Sequence, residues 1–360
     1  MTLEEIKTCT VVDELIRDGK SFAIYRIPGE EHPRFLMQTS GAPRHLYKIA
    51  DLNEQSGFVI APFHVGQERP IVLIQPDCWE LPTTVTSRRK TPPGKFEEVR
   101  DTDAFGAYAD CFDIFIHALR DGTFEKLVLS RSMTIDRSVA FSAAMAFYSA
   151  CRHYIYSYVY LCYTPQTGVW LGSTPEIILS GEKGVWNTVA LAGTQSLQDG
   201  KLPQEWDAKN REEQEYVAAY IRRQLLSLGI HSEENGPYPA YAGALSHLKT
   251  DFRFSLPDSQ KLGDLLNVLH PTPAVCGLPK EEAYQFILGN EGYDRKYYSG
   301  FIGWLNPAGK TDLYVNLRCM NVEHESLTLY AGGGLLASSE LDDEYQETEK
   351  KMQTMLRLTN

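Results

Sequence analysis

Between residues 300 and 331 the chain alternates apolar stretches with turns. Residues 300–305, 312–321 and 327–331 read as strands, joined at Asn306-Pro307-Ala308-Gly309 and around 323–326. Strands joined by turns instead of crossover helices form an antiparallel meander. Similar runs occur at 22–27, 58–63 and 71–74, then at 126–135, 155–163, 168–172 and 176–180. Helical spacing marks 103–121, where Phe105, Tyr108, Phe112, Phe115, Ile116 and Leu119 share a face, and also 204–228 and a closing helix from about 342. Strands and helices do not alternate regularly. The expected class is therefore α+β, an α/β sandwich of antiparallel sheets with outer helices, not a doubly wound parallel sheet. Thr91-Pro92-Pro93-Gly94 marks the expected boundary between an N-terminal region (1–95) packed on the core and a second domain (96–360).

Charge narrows the function. The 360 residues carry a formal charge of −12, and no basic stretch is denser than Arg88-Arg89-Lys90. Phosphate neutralisation needs a basic face, so nucleic acid is not an expected partner. An anionic ligand would need a metal or a few placed cations. The seven cysteines are scattered and never spaced C-x-x-C, which suits packing in a reducing cytoplasm. No apolar run approaches the roughly 18 residues of a membrane span. The expectation is a soluble cytoplasmic protein with no membrane association.

Several residues could carry chemistry. Glu213 heads the apolar stripe Val217, Tyr220, Ile221 and Leu225, while Glu344, Glu347 and Lys351 stack along one side of the closing helix. These carboxylates are either oxygen ligands of the kind Mg²⁺ prefers or a solvated charged face. Ala331-Gly332-Gly333-Gly334 stands between a strand and a helix, as a loop offering amides to an anion or as a plain tight turn. Strand alternation puts Arg318 on a polar face near it, suited to gripping a carboxylate or simply exposed. Lys126, among apolar neighbours in Lys-Leu-Val-Leu-Ser-Arg, either snorkels to water or sits desolvated as a base. Glu176, also flanked by apolar residues, is an edge-strand glutamate or a general acid whose pKa burial raises. His247 and His270 either contact substrate or are structural. No metalloprotease, serine-hydrolase or dinucleotide fingerprint is present.

Taken in order, the stretches 126–131, 172–179, Ala190-Leu191-Ala192-Gly193-Thr194, 209–214, 269–277, 295–303, Leu317-Arg318, 331–335 and 344–352 resemble the chorismate-utilising enzymes. That family includes isochorismate synthase, salicylate synthase, anthranilate synthase component I and aminodeoxychorismate synthase component I. The resemblance covers about residues 100–360 and implies the family's sandwich fold and chorismate as substrate. It implies Mg²⁺ as cofactor, held at Glu213 and Glu347 with Glu344 beside them. It further implies that Arg318, Tyr298 and the amides of Gly332, Gly333 and Gly334 hold the pyruvyl carboxylate, and that Gly193, Thr194, His247, Ala274 and Lys351 line the substrate. One departure is a glutamine, Gln214, where the family's Lys-x-x-x-Glu-His run has histidine.

Branches of the family differ at a few of these positions. Lys126 resembles members that add water in place of ammonia, which implies no glutaminase subunit. Ala192 stands where aminodeoxychorismate synthases carry a nucleophilic lysine. Ala274-Val275 resembles isochorismate synthases, whereas salicylate synthases are expected to show a hydroxyl residue at 274. The implied activity is the isomerisation of chorismate to isochorismate, with Lys126 as base and Glu176 as acid, in a monomer feeding menaquinone or siderophore synthesis. The alternatives are a salicylate synthase, which goes on to eliminate pyruvate, and a non-catalytic chorismate-binding relative.

Overall fold

Apolar runs bounded by turn residues become strands here, and most of those strands bury both faces. In the computed structural model, residues 3–82, 104–242, 245–256 and 258–359 are described. The expected boundary at 91–94 and the Arg88-Arg89-Lys90 run lie outside them. In chain order the elements are α1 (Leu3–Arg17), β1 (Ser21–Arg26), β2 (Arg34–Gln38), β3 (Arg44–Leu46), β4 (Gly57–Ala61), β5 (Ile71–Ile74), α2 (Ala104–Arg120), β6 (Lys126–Asp136), α3 (Ala143–His153), β7 (Tyr158–Thr164), β8 (Gly168–Thr174) and β9 (Ile177–Glu182). There follow β10 (Val185–Ser196), α4 (Ala208–Ser227), β11 (Ser232–Ala242), β12 (Leu245–Ser255), α5 (Leu262–Leu269), β13 (Gly277–Leu278), α6 (Lys280–Asn290), β14 (Phe301–Leu305), β15 (Lys310–Val315), β16 (Cys319–Val322), β17 (Ser326–Leu335) and α7 (Leu341–Leu356).

Among the described residues the strands form two antiparallel sheets, ordered β13-β6-β17-β16-β8-β7-β1-β2 and β11-β12-β10-β9-β15-β14-β4-β5-β3. The N-terminal strands thus continue both sheets: β1 pairs with β7, and β4 with β14. Side chains alternate between the two faces of a strand. Ala23, Tyr25, Phe58, Ile60, Tyr158 and Tyr160 fill the space between the sheets. Their neighbours Phe22, Ile24, Val159 and Leu161 face α1 and α3, whereas Val59 and Ala61 join α4 and α5. The result is a helix–sheet–sheet–helix sandwich, as the sequence led one to expect.

Helix α4 forms where the pattern places it. Asp207 caps it by accepting from Asn210 N at 2.8 Å, and the stripe Val217, Tyr220, Ile221, Leu225 is buried. Two expectations change. Gly332, Gly333 and Gly334 are not a loop but the end of β17, in register with Ser130, Leu129 and Val128 of β6. The expected strand over 312–321 is two strands in different sheets, interrupted at 316–318.

A buried ion pair ties β6 to the turn at 272–276. Glu291 accepts from Arg295 Nε at 2.5 Å and Nη2 at 2.6 Å, and from Ser130 N and Oγ at 2.7 and 2.8 Å. Arg295 also donates to Val275 O at 2.7 Å and Val128 O at 3.0 Å, with its guanidinium stacked 4.3 Å above the Phe63 ring. Removing one partner of such a pair strands a buried charge, at a cost of about 3–5 kcal/mol. Arg295→Met is therefore expected to lower the unfolding free energy by about that much in denaturant titrations, and adding Glu291→Gln should recover part of the loss.

Candidate active site

Two neighbouring segments leave one sheet for the other side by side. The chain passes from β8 to β9 through Pro175 and Glu176, and from β15 to β16 through 316–318. Val315 N donates to Glu176 O at 2.8 Å, Ser173 N to Arg318 O at 3.1 Å, and Thr174 Oγ1 to Val315 O at 2.7 Å. Glu176 is thus not an edge-strand residue, and Arg318 is not on a strand face; Arg318 has left-handed backbone, φ 46°. Both side chains turn into a cavity at the switch point, where the ladder is interrupted and polar groups can point inward.

Glu176, Gly193, Thr194, Glu213, His247, Ala274, Tyr298, Arg318, Gly332, Gly334 and Lys351 all line this cavity. Lys126, Gly333, Glu344 and Glu347 adjoin it. Lys126 is fully buried, with Nζ 2.9 Å from Glu213 Oε1. A Cβ on Gly334 would overlap Glu213 Oε1, and one on Gly333 would press on Glu344 Oε2 at 3.3 Å and Glu347 Oε1 at 3.4 Å. Glycine is what lets the carboxylates close on this strand. The pairing of β16 with β17 stops at Leu329, so the glycine stretch has no strand on that side among the described residues. Lys351 Nζ donates to Gly332 O at 2.8 Å there.

Each carboxylate forms an ion pair with a lysine: Glu213 with Lys126, Glu344 with Lys209 at 2.5 Å, and Glu347 with Lys351 at 2.6 Å, the last two hydrogen-bonded as well. Burial and the adjacent Glu347 charge push the Glu344 carboxyl up. Burial acts on Glu347 in the same direction and most strongly of any single cause, but Lys351, Lys209 and Thr194 together outweigh it and hold that carboxyl below the usual range. Lys209 is pulled up by Glu344, Glu347 and Glu213 against its own desolvation. Among the described residues no three of His, Cys, Asp or Glu are arranged to hold one ion as they stand. The donor chemistry nevertheless fits a hard cation, because Mg²⁺ needs only one or two protein carboxylates with waters and substrate oxygens.

Opposite these acids lies an arginine–histidine pair. Arg318 Nη2 is 2.8 Å from His247 Nε2, and His247 Nδ1 is 2.8 Å from Gly193 O. Desolvation, then Arg318 and Lys351, push the His247 pKa well down, so the ring is neutral. Its partners assign Nδ1–H as donor to Gly193 O and Nε2 as acceptor from Arg318. Burial lowers Arg318 to about 10. Tyr298 stacks on Tyr330, rings 5.4 Å apart and 15° from parallel. His270 lies outside the cavity, bonded to Phe63 O at 3.2 Å and edge-on to Phe301.

Glu176 is buried and accepts from Thr272 Oγ1 at 3.3 Å. Desolvation raises its pKa from 4.5 to about 7 against the pull of Lys126. The sequence reading missed Thr272 and Tyr330 as site residues, and also Asn210, which accepts from Thr194 N at 2.7 Å. Asn210 and Lys209 had a usable signal, one helical turn before Glu213. Thr272 and Tyr330 had none that periodicity could supply.

With this geometry in view, comparison with known proteins decides the family. The chorismate binding enzyme family model matches residues 42–360. The chain belongs to that family. Isochorismate synthase DhbC of Bacillus subtilis is 31% identical over 257 residues, 66% of this chain and 64% of that protein, so the match spans just under two thirds of the relative. The crystal structure of the DhbC protein from Bacillus anthracis superposes with a TM-score of 0.76 at 25% identity, covering 96% of this chain and 99% of that one. MenF, the menaquinone-specific isochorismate synthase of Escherichia coli, shares the fold with a TM-score of 0.78 at 19% identity, covering 97% and 91% of the two chains. No described helix is long and apolar enough to cross a membrane.

The Glu176 shift has a consequence for stability. Between about pH 4.5 and 7 the folded protein keeps a proton on this carboxyl that the unfolded chain has lost. Stability therefore falls as pH rises through that window, by roughly 3 kcal/mol in all. Glu176→Gln is expected to raise the thermal midpoint at pH 8, with the gain shrinking to nothing below about pH 4.5. A gain independent of pH would show that Glu176 ionises normally.

Proposed function

We propose that this protein isomerises chorismate to isochorismate. The observation that carries the reading is the pair Lys126 and Glu176, both buried at one cavity, with a carboxyl of pKa about 7 among them. Acid/base catalysis near neutral pH needs groups of this kind. Lys126, once its own proton has passed to Glu213 beside it, takes a proton from water as its oxygen bonds to C2. Glu176 gives a proton to the C4 oxygen as that carbon–oxygen bond breaks, and the ring double bonds shift between them. One water enters and one leaves, so the elemental formula is unchanged. Arg318, oriented by neutral His247, and Tyr298 hold the pyruvyl carboxylate with the edge of Gly332, Gly333 and Gly334.

Glu213, Glu344 and Glu347 are the residues that would hold Mg²⁺, whose charge would neutralise the ring carboxylate. Water as nucleophile makes a glutaminase subunit unnecessary, and the reading is of a cytoplasmic monomer. The names of the relatives support both a siderophore and a menaquinone setting, since DhbC is described as 2,3-dihydroxybenzoate-specific and MenF as menaquinone-specific.

Purified protein with chorismate and Mg²⁺ tests this reading by chromatography of products and a pyruvate assay. Isochorismate without pyruvate is expected. Salicylate with pyruvate would mean a salicylate synthase, and no turnover a binding protein. Lys126→Ala and Glu176→Gln should each lower kcat by about 10²–10⁴-fold. In the parent enzyme kcat should fall as pH rises past about 7, where Glu176 loses the proton it must donate. Chelating the metal should abolish turnover and chorismate binding together, whereas turnover persisting in excess chelator would exclude the metal.

A further inference from the structure

The inner edge of β10 is short of backbone partners. β9 pairs with β10 only at residues 185–187, and a bulge at Gly193 breaks the register between Ala192 and Thr194 on the β12 side. Buried amides and carbonyls beyond residue 187 must find partners elsewhere. Helix α4 supplies them from one face: Ala192 N donates to Gln214 Oε1 at 2.9 Å, Gly193 N to Glu213 Oε2 at 3.1 Å, and Thr194 N to Asn210 Oδ1 at 2.7 Å.

Gln214 does more than its two neighbours on that face. It is 1% exposed, and its amide nitrogen donates to Ala190 O at 3.2 Å and Thr250 Oγ1 at 3.1 Å. One acceptor and two donors are all in use, a set that a carboxylate or an aliphatic side chain cannot reproduce. Those bonds fix the backbone on the N-terminal side of the bulge, leaving Gly193 at φ +70° with its Cβ position against Asn210 O. The same residue then serves both arms of the cavity: its N–H bonds to Glu213, and its carbonyl accepts from His247, which bonds to Arg318.

We propose that Gln214 is a positioning residue that sets the Gly193 bulge and thereby couples the carboxylate arm of the cavity to its arginine arm. The inference rests on the reading of this cavity as the chorismate site. It requires the two arms to loosen together when Gln214 is lost. Glu176 is held by Thr272 and by the pairing with Val315, outside the bulge, so its ionisation stays in place.

The test is Gln214→Met, which keeps length and removes every bond, beside Thr250→Val, which removes one acceptor and leaves the bulge bonds. Both are compared with the parent protein well below each unfolding midpoint. The expected result is faster hydrogen–deuterium exchange over residues 190–196 in Gln214→Met, with KM for chorismate and the half-activating Mg²⁺ concentration each raised about 10-fold or more. The pH limb near 7 should not move, and Thr250→Val should shift the same quantities less. Faster exchange with unchanged KM and Mg²⁺ dependence would overturn the proposal, leaving Gln214 a packing residue, and so would unchanged exchange. If Gln214→Met does not fold, Thr250→Val decides on direction alone: smaller rises in exchange, KM and half-activating Mg²⁺ together uphold the proposal, and exchange rising alone, or no rise, overturns it. A parent protein that turns over no chorismate would sink the functional reading; exchange and Mg²⁺ affinity by calorimetry would then decide the positioning role.

Discussion

A chain that passes from one sheet to another must give up ladder hydrogen bonds at the crossing, and this molecule does so twice in adjacent places. Val315 N bonds to Glu176 O, Ser173 N to Arg318 O and Thr174 Oγ1 to Val315 O, so the two crossings brace one another, while Asn316 finds its backbone partners in Ser299 and Gly300. Side chains there belong to neither regular face. They point into the opening between the sheets, which is why Glu176 and Arg318 are buried yet accessible to a ligand in the cavity. The rest of the site is arranged around that opening. β17 brings glycines with one uncovered edge, α4 and α7 bring carboxylates, and the Glu291–Arg295 pair fixes β6, and with it Lys126, against the turn carrying Ala274.

The charge arrangement explains how an acidic protein can hold an anion. The formal charge is −12, yet the acids at the cavity do not face it bare, because Glu213, Glu344 and Glu347 each meet a lysine. With His247 neutral, Arg318 keeps its charge next to an imidazole acceptor and does not meet a second cation. Close pairs in a poorly solvated cavity govern the local field, whereas the distant surface carboxylates are screened by salt.

Much of this was legible beforehand, but unevenly. The helices at 104–120, 208–227 and 341–356 followed from apolar spacing, because that spacing is itself the face that must be buried. The site residues were legible as a set through short motifs in fixed order, and most of them do line one cavity. The glycine run was misread as a loop because three glycines look like a turn locally; only its neighbours, a strand on one side and carboxylates on the other, make it a strand end. The break at 316–318 was invisible because its residues keep the alternation of a single strand while the chain changes sheets.

The sequence by itself determined three of the helices and many of the strands, the antiparallel class, the acid–base inventory and the family, since these depend on residue type and spacing along the chain. Tertiary structure alone decided what each group does in place. Glu176 is raised to about 7 because surrounding elements exclude water from it. Gln214 carries three bonds because β9 ends its pairing with β10 at residue 187 and leaves amides for α4 to satisfy. Desolvation and hydrogen-bond supply are properties of the packed surroundings, built here by bonds that span 22 to 96 residues, and no local pattern in the chain records them.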